Sequence, residues 1–384
     1  MKYFMYFIGL LVAVFFNCCS GTSDEKTYVI LEGKVIDRES KALILKKTTE
    51  DTRYQGIEIP ISDSGNFKFE MEKPEFIEEY ELVFMDEYED GAWRPISFFP
   101  ESDTVRFELY PRERFDENQI SGSELSKREE QLRIDYSSTF GFIFDDFYAQ
   151  RDSLRKFDTD SEQIEILRSK IDSLYREVIH WRLAKCASNA DLFSYIRFIE
   201  LIKQSTEYKI PVEQLSKTQE IFRIKYPDHP YSTLSENLIE GVKSIHVGGN
   251  YIDFIASDSS GNEVILSTLI INNNVTLIDL WAPWCGPCIK KSKEVQKVYS
   301  EINPMGFDVV AVVGGIKSED QYFNALRKYN YPWPVLMELQ NENRIWEKYN
   351  IDNSGGSQFL INAKGEILAI NPSIEQIKEA IEKS

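Results

Sequence analysis

The octet Trp281-Ala282-Pro283-Trp284-Cys285-Gly286-Pro287-Cys288 constrains this chain more than any other stretch. It follows an apolar run, Val275 to Leu280, and precedes Ile289 to Tyr299, whose pattern predicts a helix. A strand that runs into Cys-x-x-Cys and then opens a helix sets two thiols about one helical turn apart. That spacing lets them close a disulfide without backbone movement. It also puts Cys285 at the positive end of the helix, where a thiolate is stabilised. The order strand, tryptophan, Cys-x-x-Cys, helix is far more specific than a lone Cys-x-x-Cys.

This run resembles the thioredoxin superfamily, and within it the TlpA/ResA-like thiol–disulfide oxidoreductases of bacterial envelopes. Gly248 to Phe254 and Gly261 to Ser267 are similar to that family's opening hairpin. Tyr331 to Leu336 and Phe359 to Ile367 are similar to its later strands, with Asn362 where the family usually has Asp. The resemblance implies an α/β thioredoxin-like C-terminal domain. It implies Cys285 as the attacking thiolate, the more exposed of the pair, and Cys288 as the resolving thiol. Asp279 matches a buried acid, whose pKa should be raised by its apolar strand and which could take a proton from Cys288. Trp281 and Trp284 should flank the thiols. Trp284, Pro287, Gly356 and Ser357 are the expected substrate-docking residues. The Gly-Pro dipeptide resembles the reducing members of the superfamily, and Gly286 is expected to permit a tight helix start. No cofactor beyond the Cys285–Cys288 redox pair is implied.

Two departures stand out. The family carries a cis-proline before the Phe-Leu-Ile strand; here the stretch is Asn353-Ser354-Gly355-Gly356-Ser357-Gln358, with Gly356 near the proline position. A cis bond without proline costs about 2.5–4 kcal/mol, so a trans loop is expected. If this leaves the docking edge mobile, Gly356→Pro should raise catalytic efficiency. The family's Glu-Pro after the motif is replaced by Lys291-Ser292. The Gly-Gly loop keeps a second class open, a binding or scaffolding lipoprotein with a thioredoxin fold of low catalytic efficiency.

Other chemistries fit less well. A peroxidatic cysteine needs Thr three residues before it, and Ala282 stands there. Zinc would need two more ligands, and only Cys186 and the scattered His180, His229 and His246 remain. Cys186 reads as a buried helix residue. Gly314-Gly315 and Gly248-Gly249 read as turns and make no phosphate loop. A net charge of −19 disfavours nucleic-acid partners.

Residues 1–19 read as a lipoprotein signal: Met1-Lys2, an apolar core from Tyr3 to Phe16 too short to span a bilayer, then Cys18-Cys19. Cys19 is the expected lipidation site because the polar Ser-Gly-Thr-Ser-Asp-Glu follows it. Residues 20–27 read as a tether, and 28–120 as a β-rich domain of short antiparallel strands, sandwich-like. Residues 121–244 read as a helical segment, in which Ile164, Leu167, Ile171, Leu174, Val178 and Trp181 form one apolar face. Residues 245–384 form the thioredoxin-like domain. Five cysteines leave no framework of structural disulfides in the mature chain. The expectation is a lipid-anchored, periplasm-facing envelope protein that takes protein disulfides as substrates. A thiol pair kept reduced in an oxidising compartment also requires an electron donor.

Overall fold

The structure is a computed structural model and describes residues 27–50, 56–156, 162–351 and 355–384. The signal, Cys18, Cys19 and nearly all of the tether lie outside the described residues. Among the described residues, no helix is long and apolar enough to cross a membrane.

Eight strands open the fold: β1 (Tyr28–Val35), β2 (Ala42–Lys47), β3 (Ile57–Pro60), β4 (Asn66–Glu72), β5 (Tyr80–Phe84), β6 (Ile96–Phe98), β7 (Thr104–Leu109) and β8 (Gln119–Ser121). They make two four-stranded sheets, ordered β4-β1-β7-β8 and β3-β2-β5-β6. Alternation in β1 sends Val29 and Leu31 into a shared core with Leu43, Phe67, Phe98 and Phe107. Most pairs are antiparallel, as expected, but β1 and β7 run parallel. Between β1 and β7 the chain builds the second sheet and also lays β4 antiparallel along the other side of β1.

Six main helices follow: α1 (Lys127–Tyr136), α2 (Phe142–Arg155), α3 (Glu162–Ser188), α4 (Leu192–Lys203), α5 (Val212–Lys225) and α6 (Pro230–Ser244). The apolar face of α3 packs on Phe140 and Phe144. α4 is apolar nearly all round and is buried, as such a helix must be. Its start is capped by Asp191, which accepts the Ser194 N–H at 2.8 Å. The helices are fastened to the β region by the buried Arg197–Glu79 ion pair. The Glu79 N–H also donates to Tyr231 Oη at 2.8 Å.

The C-terminal sheet has seven strands, β9 (Ile255–Ser257), β10 (Glu263–Ile265), β11 (Val275–Trp281), β12 (Phe307–Ile316), β13 (Val335–Leu339), β14 (Ser357–Asn362) and β15 (Ile367–Ile370), in the order β10-β9-β13-β12-β11-β14-β15. The opening hairpin is β9–β10, so its first strand begins at Ile255, after the stretch Gly248 to Phe254. Helices α7 (Gly286–Ile302), α8 (Glu319–Tyr329) and α10 (Ile374–Glu382) cover one face of the sheet, and α9 (Ile345–Lys348) lies on the other. β11 is central, parallel to β12 and antiparallel to β14. Its residues are all buried, and the strand period divides them between faces. Val275, Leu277 and Trp281 join the α7 side, whereas Ile278 and Leu280 join the α9 side. Asp279 therefore points up under α7.

Candidate active site

β11 ends at Trp281, and a tight turn returns the Cys285 N–H to the Ala282 carbonyl at 2.9 Å. Cys285 then caps α7. Its Sγ accepts the Cys288 N–H at 3.3 Å, and its carbonyl accepts the Ile289 N–H at 3.1 Å. One free helix N–H thus points at the sulfur that would carry negative charge when reduced. Pro287 occupies the first turn, where its missing N–H loses no helix bond. A Cβ on Gly286 would meet open space, so sterics do not require glycine there. Cys285 and Cys288 are joined as a disulfide, with Cα atoms 5.3 Å apart.

The exposure of the pair reverses the sequence expectation in this oxidised form. Cys285 is 5% exposed, whereas Cys288 is half-buried. The cover is backbone. A Cβ on Gly355 would stand 2.7 Å from Cys285 Cβ and 2.9 Å from its Sγ. Gly355 has φ +107°, so glycine fits here on both sterics and conformation. Gly356 lies one step away from the sulfur. A Cβ there would come within 2.0 Å of the Leu280 carbonyl oxygen, and its φ of +158° is far from the roughly −65° that proline requires. The expected gain from Gly356→Pro is therefore corrected: proline does not fit. No cis peptide bond occurs among the described residues. Ser357 opens β14 opposite Leu280 and accepts a bond from Asn371 Nδ2 at 2.8 Å.

The two tryptophans divide the work of shielding. Trp281 is fully buried, edge-on to Tyr329 and Tyr331. Trp284 is 42% exposed and is held by a bond from its Nε1 to the Gly315 carbonyl at 3.1 Å.

Behind the disulfide, Asp279 is 1% exposed. Burial pushes its carboxyl up to about 6, against the opposing effects of bonds from Ser292 and Gln358 and the charge of Lys291. Ser292 Oγ donates to Asp279 Oδ2 at 2.6 Å, and Gln358 Nε2 donates to Oδ1 at 3.2 Å. The Ser292 hydroxyl also lies 3.1 Å from the Cys288 carbonyl. It has one proton and two acceptors. It can donate to the ionised acid, or accept from the protonated acid while donating to Cys288. Ser292 links the buried acid to the turn that carries Cys288.

Sequence reasoning gave Ser292 and Gln358 no role. Ser292 lies four residues after Cys288, so helix spacing alone stacks it below that residue. Gln358 meets Asp279 through the β11–β14 register, which one sequence does not reveal. Cys186 is a buried helix residue, and burial pushes its thiol up to about 12. Among the described residues, no group of three or more His, Cys, Asp or Glu is placed to hold a metal ion.

The profile of the AhpC/TSA family matches residues 247–370. The sporulation thiol-disulfide oxidoreductase A of Bacillus subtilis (strain 168) is 31% identical over 114 residues, covering 28% of this chain and 67% of that protein. The chain belongs to the thiol–disulfide oxidoreductases. The thiol-disulfide oxidoreductase ResA of the same organism is 25% identical over 138 residues, covering 36% of this chain and 74% of that protein. Among solved structures, the thioredoxin domain of a thiol-disulfide oxidoreductase from Bacteroides vulgatus is 22% identical. It covers 36% of this chain and 98% of its own, with a TM-score of 0.32. The profile match spans the thioredoxin-like region that carries the Cys285–Cys288 pair. Within that region Ala282 supplies no hydroxyl of the kind a peroxidatic cysteine uses.

Proposed function

We propose that this protein reduces disulfides on other proteins of the bacterial cell envelope. In the reduced form, the Cys285 thiolate attacks one sulfur of a client disulfide. The client S–S bond breaks, a mixed disulfide forms, and the other client sulfur leaves as a thiolate that takes up a proton. Cys288 loses its proton to Asp279, with Ser292 holding the acid in place, and attacks Cys285 Sγ. The second client sulfur is released, and two electrons have passed from Cys285 and Cys288 to the client. An external dithiol donor restores the pair. The observation that carries this reading is the juxtaposition of a helix-capping Cys285, a neighbouring Cys288 and a buried carboxyl bonded to Ser292. The chemistry uses no cofactor beyond the redox pair. We place the protein on the membrane through a lipid on Cys19, facing the periplasm.

The deciding experiment is trapping. Cys288→Ser should accumulate a mixed disulfide with protein substrate, and Cys285→Ser should not. Trapping by the wrong variant would refute the order of attack. Replacing both Cys18 and Cys19 with Ser should release the protein from membranes, and unchanged association would refute the anchor. The 5% exposure of Cys285 under Gly355 favours one competing reading, a binding or scaffolding lipoprotein with slow exchange. Steady turnover of a protein disulfide with a dithiol donor excludes it.

A further inference from the structure

Trp284 and Gly355, which pack beside Cys285, line a cleft of about 1320 Å³ that all three regions of the chain share. Trp284 and Gly355 stand at the thiol end. Thr206 and Glu207, just after α4, form a second wall. Lys47, at the end of β2, with Thr49 and Glu50 just after it, forms a third. The volume exceeds the roughly 300–1,000 Å³ of ordinary small-ligand pockets.

The walls are fixed before anything binds. A Cβ on Gly241 would lie 2.7 Å from the Lys348 carbonyl oxygen, so α6 meets α9 at backbone distance. Asn237 Nδ2 reaches Glu347 Oε2 at 3.5 Å across the same seam. On the thioredoxin-like side, Glu338 is 1% exposed. It accepts bonds from the Asn343 N–H and Nδ2 at 3.0 Å and from the Ile345 N–H at 3.3 Å, clamping the cleft-lining turn between β13 and α9. On the far wall, Lys47 Nζ pairs with Glu78 at 2.5 Å, and the Lys47 N–H is taken by Glu50 at 2.9 Å. Fixed walls lower the ordering cost of binding.

Cys285 lies covered beneath Gly355, which lines the cleft, so a broad convex surface meets the walls before it meets the sulfur. A narrow chain does not. The lining alternates charged groups with apolar ones, which suits a ligand presenting both backbone amides and side chains. We propose that the cleft is the client site, and that it takes an extended, disulfide-bearing polypeptide segment whose flanking residues lie against the β-rich and helical regions. The reduction step rests on the oxidoreductase reading above; the binding step does not.

The test separates the two. In the binding arm, the full chain with both Cys285 and Cys288 replaced by Ser is mixed with a reduced, carboxamidomethylated, unfolded polypeptide. Hydrogen exchange should slow at residues 47–50, 203–207 and 355–357 together. Thr206→Trp and, separately, Thr49→Trp should each weaken this binding at least tenfold by filling the far walls. In the turnover arm, the same two substitutions on the active chain should slow reduction of an unfolded protein disulfide about tenfold. Reduction of a small aromatic disulfide should stay within twofold. Protection confined to the thiol end, or equal losses on both substrates from both variants, would overturn the proposal. So would protection that appears with rising protein concentration alone, which assigns the cleft to a second copy of the chain. A parent that binds and shows far-wall protection but reduces neither disulfide would overturn the oxidoreductase chemistry and leave the binding site standing.

Discussion

Asp279→Asn should make the folded protein more stable at neutral pH and a worse enzyme. The carboxyl ordinarily titrates at 3.8, and burial raises it to about 6 in the folded state. The folded protein therefore holds this proton more tightly than the unfolded chain does. Stability falls as pH rises between the two values, and above about 6 the full cost of the buried charge is present. At roughly 1.4 kcal/mol per pH unit, that cost is about 3 kcal/mol. Asparagine removes the charge and keeps the partners. Gln358 still donates to Oδ1, and the Ser292 hydroxyl can accept from the new amide while donating to the Cys288 carbonyl, already 3.1 Å away. Allowing about 1 kcal/mol for imperfect bonds, the net effect is a gain of about 2 kcal/mol at pH 8 that turns into a loss of about 1 kcal/mol below about pH 4. The assay is urea unfolding of the oxidised full chain at pH 4, 6 and 8, with hydrogen exchange across β11 reporting the C-terminal region. A variant less stable at every pH, or a gain independent of pH, would refute the account of Asp279. The same substitution should slow release of the client from the mixed disulfide without changing how fast that disulfide forms.

Ser292→Ala removes the 2.6 Å donor to Asp279. A bond to a charged acceptor is worth about 1.5–3 kcal/mol, so the pH midpoint of client release should move up by roughly one pH unit or more; a stopped-flow pH profile unchanged from the parent would count against the link. Gly356→Ala should destabilise the chain by about 2–3 kcal/mol, because its Cβ must displace the Leu280 carbonyl; urea unfolding checks this. Gly355→Ala should crowd Cys285 directly and slow thiol–disulfide exchange about tenfold, equivalent to roughly 1.4 kcal/mol on the barrier, measured by single-turnover kinetics. Cys186→Ala should cost about 1–2 kcal/mol of stability from lost packing and leave turnover unchanged.

The parts of this fold that repeat were legible and the parts that depend on register were not. The apolar run into Trp281 and the helix after Cys288 follow from the sequence pattern, because burial writes itself into composition and spacing. So did the inward face of α3. The strands β6 and β8 are three residues each, too short for alternation to show, and the parallel β1–β7 pair is a matter of topology that local pattern does not encode. At the site, Cys285, Cys288 and Asp279 are fixed by distance along one strand–turn–helix unit. Gln358 and Gly355 arrive from the far end of the domain. Their contacts depend on how β14 aligns with β11, and a one-residue slip would place Gly356 on the sulfur instead. That is where the sequence expectation differed from the structure.

The same register explains why the site can bear its costs. A buried carboxyl that ionises near neutral pH and a backbone pressed onto a sulfur both oppose folding. Both burdens fall on β11 or against its end, and β11 is the strand with most support: ladders on both sides, and every residue buried. On an edge strand the same costs could be relieved by fraying, and the acid would gain water and lose its raised pKa. Held between β12 and β14, it cannot. The central position therefore keeps Asp279 dry enough to accept a proton near physiological pH, and it holds Gly355 close enough to cover Cys285. Functional strain is retained where surrounding structure over-determines the geometry, and here the determinant is a pair of hydrogen-bonded neighbours, with β14 bringing Gln358 to Asp279 and the backbone before it bringing Gly355 to Cys285.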